Sequence, residues 1–432
     1  MATLTIPLSR IEGHAQIIIH LHGSKVISAT LQATEMRGFE YFLQGAPAEQ
    51  LPIIVPRICG VCSTAHHIAA VKALETIFGI EPPPAAIHIR ELMMLGQLIQ
   101  NQATSLFLFT MPDLPGLKGL PSAFDFVDQD SNLAARALQV RRAGTDLIVL
   151  AGGQFIHPIR AVVGGVSSGL PADGIAAMRT RLHDTLPLAC ELFERYWQMF
   201  INLRDRIGTL GDDIPTHYLA AVEEGHAYYG RNLRVLDPAG IEQAAFSPCD
   251  YQRFLTEVPV ENSYSNATLF NGQIMRANSL ARLNMLPSLG TPIADGYMAR
   301  FRREWGYPAH AILLYDLARG IELVYCLEKA IVMLDSVPTG ELKLPYEICD
   351  GEGCGMVEAP RGPLIHHYRI KNGLVDWAKF VIPTQHNILA IEHALMVAAR
   401  RYVQDDHINL ELERAVGRVV RAFDPCISCA TH

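Results

Sequence analysis

The sequence lacks the features that mark membrane, secreted and nucleic-acid-binding proteins. It has no run of about 18 apolar residues, which a membrane-spanning helix requires. Residues 1–14 show no basic stretch followed by an apolar core and a small-residue cleavage site. Charged residues make up only 19% of the chain, and no Lys/Arg cluster stands out among them. We therefore predict a protein with no direct membrane span, no secretion signal of its own and no nucleic-acid partner.

Apolar residues, by contrast, are abundant. They make up 49% of the 432 residues, and 44 acidic against 36 basic residues give a net charge of -8. A chain this long and apolar buries a large core, and its apolar excess fits a partner-facing surface. The nine cysteines are odd in number and are not spaced like a disulfide scaffold. We therefore predict reduced thiols or metal ligands in a cytoplasmic setting.

Hydrophobic periodicity predicts a mainly α (α+β) fold with a central bundle of long helices. Alternating apolar residues around His22-Gly23-Ser24 predict an N-terminal β-hairpin over residues 15–34. A helical pattern starts at Ser63, the expected N-cap, and stops at Gly79. Glycines between short apolar runs predict short strands and loops over residues 339–383. Further helices are predicted at about 85–110, 131–151, 172–208, 309–336, 386–402 and 410–422.

These patterns divide the chain into three predicted segments. Residues 1–62 form an N-terminal β region that ends in a first Cys-x-x-Cys motif. Residues 63–338 form the helical bundle. Residues 339–432 form the strand and loop region and a C-terminal helix, which leads into a second Cys-x-x-Cys motif.

The two Cys-x-x-Cys motifs are Cys59-Gly60-Val61-Cys62 and Cys426-Ile427-Ser428-Cys429. This spacing lets two thiolates converge on one metal. Zinc fingers place their pairs within tens of residues of each other, whereas these pairs bracket most of the chain. A site built from both ends requires the complete fold. Four thiolates suit zinc, an iron-sulfur cluster or nickel, and from spacing alone structural zinc takes the largest share.

The segments around the cysteines resemble the signature motifs of the large (catalytic) subunit of nickel-iron hydrogenases. Arg57-Ile58-Cys59-Gly60-Val61-Cys62, followed by His66, looks like the N-proximal motif, and residues 424–432 look like the C-terminal one. Matching segments in the family's order are Arg10-Ile11-Glu12-Gly13-His14, Arg37-Gly38-Phe39-Glu40, Gly152-Gly153 with His157-Pro158, and Ala359-Pro360-Arg361-Gly362. The resemblance therefore covers the chain from residue 10 to residue 432.

The resemblance implies a Ni-Fe centre that oxidises H2 and reduces protons reversibly. All four cysteines would bind nickel, and Cys62 and Cys429 would also bridge to an iron that carries CO and CN ligands. The resemblance further implies a magnesium ion bound by Glu40, His432 and a backbone carbonyl at about Phe380, since magnesium prefers oxygen ligands. It also implies that His432 is the end that a maturation protease leaves.

Other site residues are implied in the same way. Glu12 would transfer protons beside a terminal thiolate, and Arg361 would lie over the two metals. The supporting roles are these: Pro360, Pro383 and Thr384 line the diatomic ligands, Asp424 orients Arg361, and His66 hydrogen-bonds a bridging sulfur. Without the resemblance, each would also fit an ordinary role as a surface carboxylate, a paired arginine, a turn residue or a core histidine.

One helix departs from the family pattern. Many relatives have an Asp-His-x-x-His run on the long helix after the first cysteine pair, and this chain has Asn101, Gln102 and Ser105 there. The polar character is kept, but the charge and the imidazoles are lost. The hydrogen bonds around Arg361 and any proton path through this helix are therefore open.

Electron transfer requires a partner. The other cysteines form no further Cys-x-x-Cys group able to hold an iron-sulfur relay. We expect a complex that contains further electron-transfer subunits and a small iron-sulfur hydrogenase subunit. The Cys-Ile-Ser-Cys-Ala-Thr-His ending resembles the cytoplasmic branch, which is cofactor-coupled or heterodisulfide-reductase-linked. The alternatives are a zinc-clamped structural scaffold and a quinone-reductase-type relative without nickel, although that relative lacks the four cysteines.

Overall fold

The chain folds around one extended hydrophobic core, as seen in a computed structural model. The structure describes residues 2–114, 128, 130–207, 216–222, 228–404 and 407–431. The main core cluster draws residues from all three predicted segments, from Leu4 through Leu98 to Ala430. The mainly α, α+β fold predicted from the sequence is confirmed. No helix in the described ranges is both long and apolar enough to cross a membrane.

An antiparallel sheet opens the chain. The predicted hairpin is confirmed as strands Ala15–His22 and Lys25–Ala33, and strand Ala2–Pro7 adds a third member that was not predicted. Ile17 and Ile19 are fully buried on one face of this sheet. The alternation of buried and exposed residues is what the period of two in an extended chain requires.

Long helices form the centre, close to the predicted ranges, except that Pro292–Trp305 was not predicted. They span Ser63–Phe78, Pro84–Ala103, Ser131–Gly152, Ala172–Ile201, Pro292–Trp305, Leu314–Asp335, Pro383–Tyr402 and Leu410–Phe423, with shorter helices at Phe39–Phe42, Leu51–Ile54, Arg204–Ile207, Ser279–Met285 and Ile427–Ala430. Gly79 ends its helix in the left-handed conformation with φ 66°, as expected. The predicted N-cap was wrong by one residue, because Cys62 is the cap and Ser63 is already helical. The Ser63 hydroxyl instead donates to the carbonyl of Gly60 at 3.2 Å.

Two small sheets between residues 217 and 276 were not predicted. One has four strands, and the other is the antiparallel pair Leu255–Pro259 and Asn266–Phe270. The four-stranded sheet consists of His217–Ala220, Leu233–Leu236, Glu242–Phe246 and Met275–Arg276. The predicted helical segment 63–338 therefore contains these strands. Each is at most five residues long, which is too short for a reliable period-two pattern.

The glycine-rich region near the C-terminus is a three-stranded antiparallel sheet, as the short strands predicted there indicated. Its strands are Gly351–Ala359, Gly362–Lys371 and Leu374–Val381. The first strand packs on helix Ser63–Phe78 so closely that a Cβ on Gly355 would overlap the backbone of Ala69. This contact fixes the sheet against the helix that starts at Cys62.

The tightest helix pair is Pro84–Ala103 against Ser131–Gly152. Glycines lie at the crossing, and a Cβ on Gly144 would lie 2.7 Å from the carbonyl oxygen of Gly96. Because backbone atoms cannot move aside as a flexible side chain can, any larger residue must separate the helices.

We predict that Gly144→Ala lowers the free energy of unfolding by about 1–3 kcal/mol through overpacking at this crossing. The apparent melting temperature of the purified protein measures the change. The matched control is Gly296→Ala, at a helical position where a Cβ meets nothing within 4 Å. The control should gain about 0.5–1 kcal/mol from helix propensity. Equal effects of the two substitutions would show that the crossing is not tightly packed.

Candidate metal centre

Three of the four cysteines lie at the ends of helices or turns. Cys59 follows the 3-10 turn Val55–Ile58, and Cys62 caps the helix that begins at Ser63. Cys426 caps the short helix Ile427–Ala430, and Cys429 lies inside that helix. Residues from opposite ends of the chain therefore face each other across one small volume.

The four sulfurs form one cluster. Cys426 Sγ lies 3.4 Å from Cys59 Sγ, 3.6 Å from Cys62 Sγ and 2.8 Å from Cys429 Sγ. All four sulfurs lie within 4.8 Å of one another, and none is in a disulfide. Over the described residues this is the one group of three or more His, Cys, Asp or Glu side chains arranged to hold a metal. The cluster suits a cation that prefers soft ligands.

Burial makes the cluster unfavourable as free thiolates. The four cysteines are at most 5% exposed. Burial raises the pKa of Cys426 and of Cys429 well above the ordinary thiol value, whereas the hydrogen bond between Cys62 and Cys426 lowers the pKa of Cys62. Four thiolates cannot share this space without positive charge between them. A bound metal would supply that charge and would release the thiol protons.

A buried ion pair borders the cluster on the Cys62 side. Arg361 Nη1 donates to Cys62 Sγ at 3.4 Å, and its Nη2 donates to Asp424 Oδ1 at 3.0 Å. Asn101 Nδ2 donates to the second oxygen of Asp424 at 3.1 Å. Asp424 adopts a left-handed backbone with φ 50°, which turns the chain from the last long helix into the cysteine motif. Arg361 is therefore held over the sulfurs by the Asp424 carboxylate, both of whose oxygens accept a hydrogen bond.

A narrow cavity adjoins the sulfurs. Cys62, Cys426 and Cys429 lie along its wall, and its other lining residues include Pro360, Arg361, Leu364, Ile382, Pro383 and Thr384. The Thr384 hydroxyl accepts a hydrogen bond from the backbone N–H of Cys426 at 2.9 Å. Apolar walls with one guanidinium would suit small, weakly polar ligands of a metal.

Glu12 joins the N-terminal segment to the second cysteine motif. Glu12 and Cys426 pair as a parallel β-bridge, and the Ile427 N–H donates to the Glu12 carbonyl at 3.1 Å. Glu12 Oε2 accepts from Cys426 Sγ and from the Ser428 N–H, each at 3.0 Å. Glu12 is partly exposed, whereas the sulfurs are buried. It is the carboxylate that connects the cluster to the outside.

The predicted magnesium ligands are only partly brought together. Glu40 Oε1 accepts from the backbone N–H of Phe380 at 2.8 Å, so the carboxylate and this strand meet. The contact uses the amide of Phe380, whereas its carbonyl was the expected ligand. Lys379 Nζ lies 3.4 Å from the same oxygen. His432 lies outside the described residues.

His66 contacts the second motif, and a histidine that was not predicted lies behind it. His66 Nε2 lies 3.4 Å from Cys429 Sγ, and His66 Nδ1 lies 2.9 Å from His366 Nε2. His366 follows the Pro360-Arg361-Gly362 motif by a few residues on the same hairpin. A polar residue on the buried face of an alternating strand would have been the signal. Strand Gly362–Lys371 is buried on both faces, so its sequence shows no such alternation.

The polar residues Asn101, Gln102 and Ser105, singled out in the sequence on the long helix, are buried. Gln102 Nε2 donates to Ser279 Oγ at 3.1 Å and to Glu322 Oε2 at 2.7 Å, which ties it to the ion pair of Glu322 with Arg282. Ser105 Oγ has no hydrogen-bond partner among the described residues. Asn101 is the member of the run that reaches the site, through Asp424.

Comparison with known proteins gives one consistent result. The sequence model of the family described as "Nickel-dependent hydrogenase" matches residues 37–113 and 222–432, and one described as "HoxL-like" matches residues 3–36. The chain is 35% identical over 411 residues to a vhu subunit of the F420-non-reducing hydrogenase of Methanocaldococcus jannaschii, covering 91% of this chain and 97% of the relative. It is 29% identical over 462 residues to the NAD-reducing hydrogenase HoxS subunit beta of Cupriavidus necator, covering 99% and 93%. A solved NAD+-reducing [NiFe]-hydrogenase in the H2-reduced state superposes with a TM-score of 0.95 at 31% identity, covering 100% of both chains.

Gly13 allows the close approach of the two chain ends. Its φ is 81°, and a Cβ there would lie 2.9 Å from Ile427 Cβ and 3.0 Å from the Ser428 nitrogen. We predict that Gly13→Ala displaces the second motif and lowers bound metal per chain, measured by elemental analysis. The matched control is Gly45→Ala, which has the same φ of 81° and meets nothing within 4 Å. Metal loss in both variants would assign the effect to backbone strain and contradict the steric explanation.

Proposed function

We infer that this chain, which belongs to the nickel-dependent hydrogenase family, is an oxidoreductase that acts on H2 through a Ni-Fe centre held by four buried cysteines. The observation that carries this conclusion is the sulfur cluster assembled from both ends of the chain. A local structural zinc site would not require that arrangement.

The proposed ligand roles divide the four cysteines into two kinds. All four would hold nickel, and Cys62 and Cys429 would also hold the iron. Support comes from the cavity, whose wall includes Cys62 and Cys429, whereas Cys59 lies away from it. Cys426 also borders the cavity, but its sulfur faces Glu12, as a terminal ligand would.

The cavity is proposed to hold the iron with its CO and CN ligands. Pro360, Pro383 and Thr384 would line the diatomic ligands, and Arg361 would offer its guanidinium to them. When bound, the centre supplies an open metal position at which H2 is polarised and split into charged fragments. Asp424 keeps Arg361 ionised and in place, with Asn101 fixing the carboxylate. Asn101 therefore supports the site without the charge that relatives carry there.

Glu12 is proposed to accept and return the proton. Its carboxylate lies 3.0 Å from Cys426 Sγ, within direct transfer distance, and it is partly exposed. A proton taken from the sulfur therefore has one short step to a group that meets solvent or a partner. The Ser428 N–H holds this carboxylate against the motif, and the Ile427 N–H holds the Glu12 backbone carbonyl.

A magnesium site at Glu40, the Phe380 backbone and His432 is proposed as a structural element. Glu40 is close to the Phe380 backbone and faces a cation, Lys379, at 3.4 Å. Magnesium would have to replace Lys379 at this carboxylate, and Lys379 has a second partner in Glu257 at 2.8 Å.

Electrons are proposed to leave through a small iron-sulfur subunit, which further electron-transfer subunits would accompany. In the part of the chain that the structure describes, the remaining cysteines form no group that could hold a cluster. Cys354 hydrogen-bonds with Cys249 instead, and Cys349 donates to the Ile77 carbonyl.

Support for a partner surface comes from large apolar side chains left exposed near the first motif: Met36, Tyr41, Phe42 and Ile53. The relatives are themselves named as subunits of hydrogenases. The cytoplasmic setting stays a prediction from the cysteine content.

Infrared spectroscopy of the purified complex, with nickel and iron quantification, tests the proposed function. We expect carbonyl and cyanide bands that shift under H2, together with about one nickel per chain, as one four-thiolate site implies. Zinc alone, without these bands in folded and fully matured protein, would support the structural clamp. Folded protein with no metal would support the quinone-reductase-type alternative.

We predict that Glu12→Gln lowers the rate of H2/D2O exchange by about 10²–10⁴-fold, because the amide cannot accept the proton. The infrared bands should persist, since the amide oxygen still accepts from the Ser428 N–H. The matched control is Glu35→Gln, an exposed carboxylate that pairs with His14 at 3.1 Å. Exchange at the unmodified rate in the Glu12 variant would remove this residue from the proton path.

A further inference from the structure

A line of hydrogen bonds runs from the sulfur cluster into the core. Cys429 Sγ lies 3.4 Å from His66 Nε2, and His66 Nδ1 lies 2.9 Å from His366 Nε2. His366 Nδ1 lies 2.6 Å from the Tyr368 hydroxyl. Each histidine therefore uses one ring nitrogen toward the sulfur cluster and the other toward the next residue of the line.

The line is rigid. His66 and His366 are at most 1% exposed, and Tyr368 is fully buried. His366 and Tyr368 are two residues apart on strand Gly362–Lys371 and so point to the same face, toward helix Ser63–Phe78. The Phe380 ring packs edge-on against both imidazoles, with centroids 6.4 Å and 4.6 Å away. The rings therefore cannot turn without disturbing the core.

The donor and the acceptor of each hydrogen bond along this line can be assigned in one consistent way. A metal-bound thiolate only accepts hydrogen bonds, so His66 Nε2 must carry a proton to bond Cys429. A neutral His66 then has a bare Nδ1, which requires a proton on His366 Nε2. The Nδ1 of His366 is bare in turn and requires a donor, which the Tyr368 hydroxyl supplies. Burial raises the pKa of Tyr368 well above its ordinary range, so this hydroxyl keeps its proton.

We propose that His366 and Tyr368 are positioning residues, which hold His66 in the tautomer that donates an N–H to the Cys429 thiolate. This inference rests on the proposed Ni-Fe function. Among the described residues the line ends at the buried hydroxyl of Tyr368, so it orients His66 and offers no proton path to the surface. Its effect is electronic, because a donated hydrogen bond withdraws electron density from a bridging sulfur.

The carbonyl stretching frequency of the purified, metal-loaded complex tests the proposal without relying on activity. Loss of the N–H makes Cys429 a stronger donor, so the iron becomes more electron-rich and the carbonyl band moves to lower wavenumber. We expect this shift in His366→Leu. We expect a smaller shift or a split band in Tyr368→Phe, in which His366 can exchange between tautomers. His366→Gln should restore the unmodified band position, because its amide N–H can still donate to His66.

The matched control is Tyr229→Phe. Tyr229 is another buried tyrosine whose hydroxyl accepts a hydrogen bond, from Arg90 at 2.9 Å, and its loss should leave the bands in place. If His366→Leu does not mature, Tyr368→Phe decides, since it removes a single oxygen. Bands unchanged in the variants, or a shift in His366→Gln equal to that in His366→Leu, would overturn the positioning role. Absence of carbonyl bands from the unmodified complex would instead overturn the proposed function.

Discussion

The contact between Glu12 and residues 426–428 is the interaction on which the site depends. Two of the four sulfurs come from each end of the chain, so the cluster exists only while the ends are held together. Glu12 holds them with its backbone carbonyl and its carboxylate. A buried ion pair of Arg10 with Asp113, and of Asp113 with Arg421, fixes the same two segments from behind. Each carboxylate is surrounded by donors, which is the condition for burying charge at acceptable cost.

The sulfur cluster has different neighbours on its different sides. The Cys426 side faces Glu12, which is partly exposed and suits proton exchange. The Cys62 side faces the Arg361 guanidinium, and the buried carboxylate of Asp424 holds this positive charge over the sulfurs. The Cys429 side faces His66 and the interior. One set of four equivalent ligands thus acquires three different environments, and those environments distinguish the sulfurs more than the sequence spacing does.

The sequence allowed prediction of features that depend on short-range patterns. The hairpin, the long helices and the four clustered cysteines each carry a local signal of period or spacing. The strands between 217 and 276 were missed because they are short and pair with distant segments, including a parallel contact of Met275–Arg276 with His217–Tyr218. The cap at Cys62 and the role of His366 depend on tertiary contacts, which override local preference. The hydrogen bond of Asn101 to Asp424 joins residues that are far apart in the sequence, so only the folded structure shows it.

The terminal segment both completes the site and covers it. Residues 424–431 are buried almost throughout, and the Arg37 N–H donates to the Thr431 carbonyl at 2.7 Å. Cations enclosed beneath such a segment can exchange with solvent only when it detaches. Their residence time would therefore depend on the rate of local unfolding of this segment as well as on the affinity of sulfur for metal. The same closure would favour an order of events in which metal binds before the last turn docks.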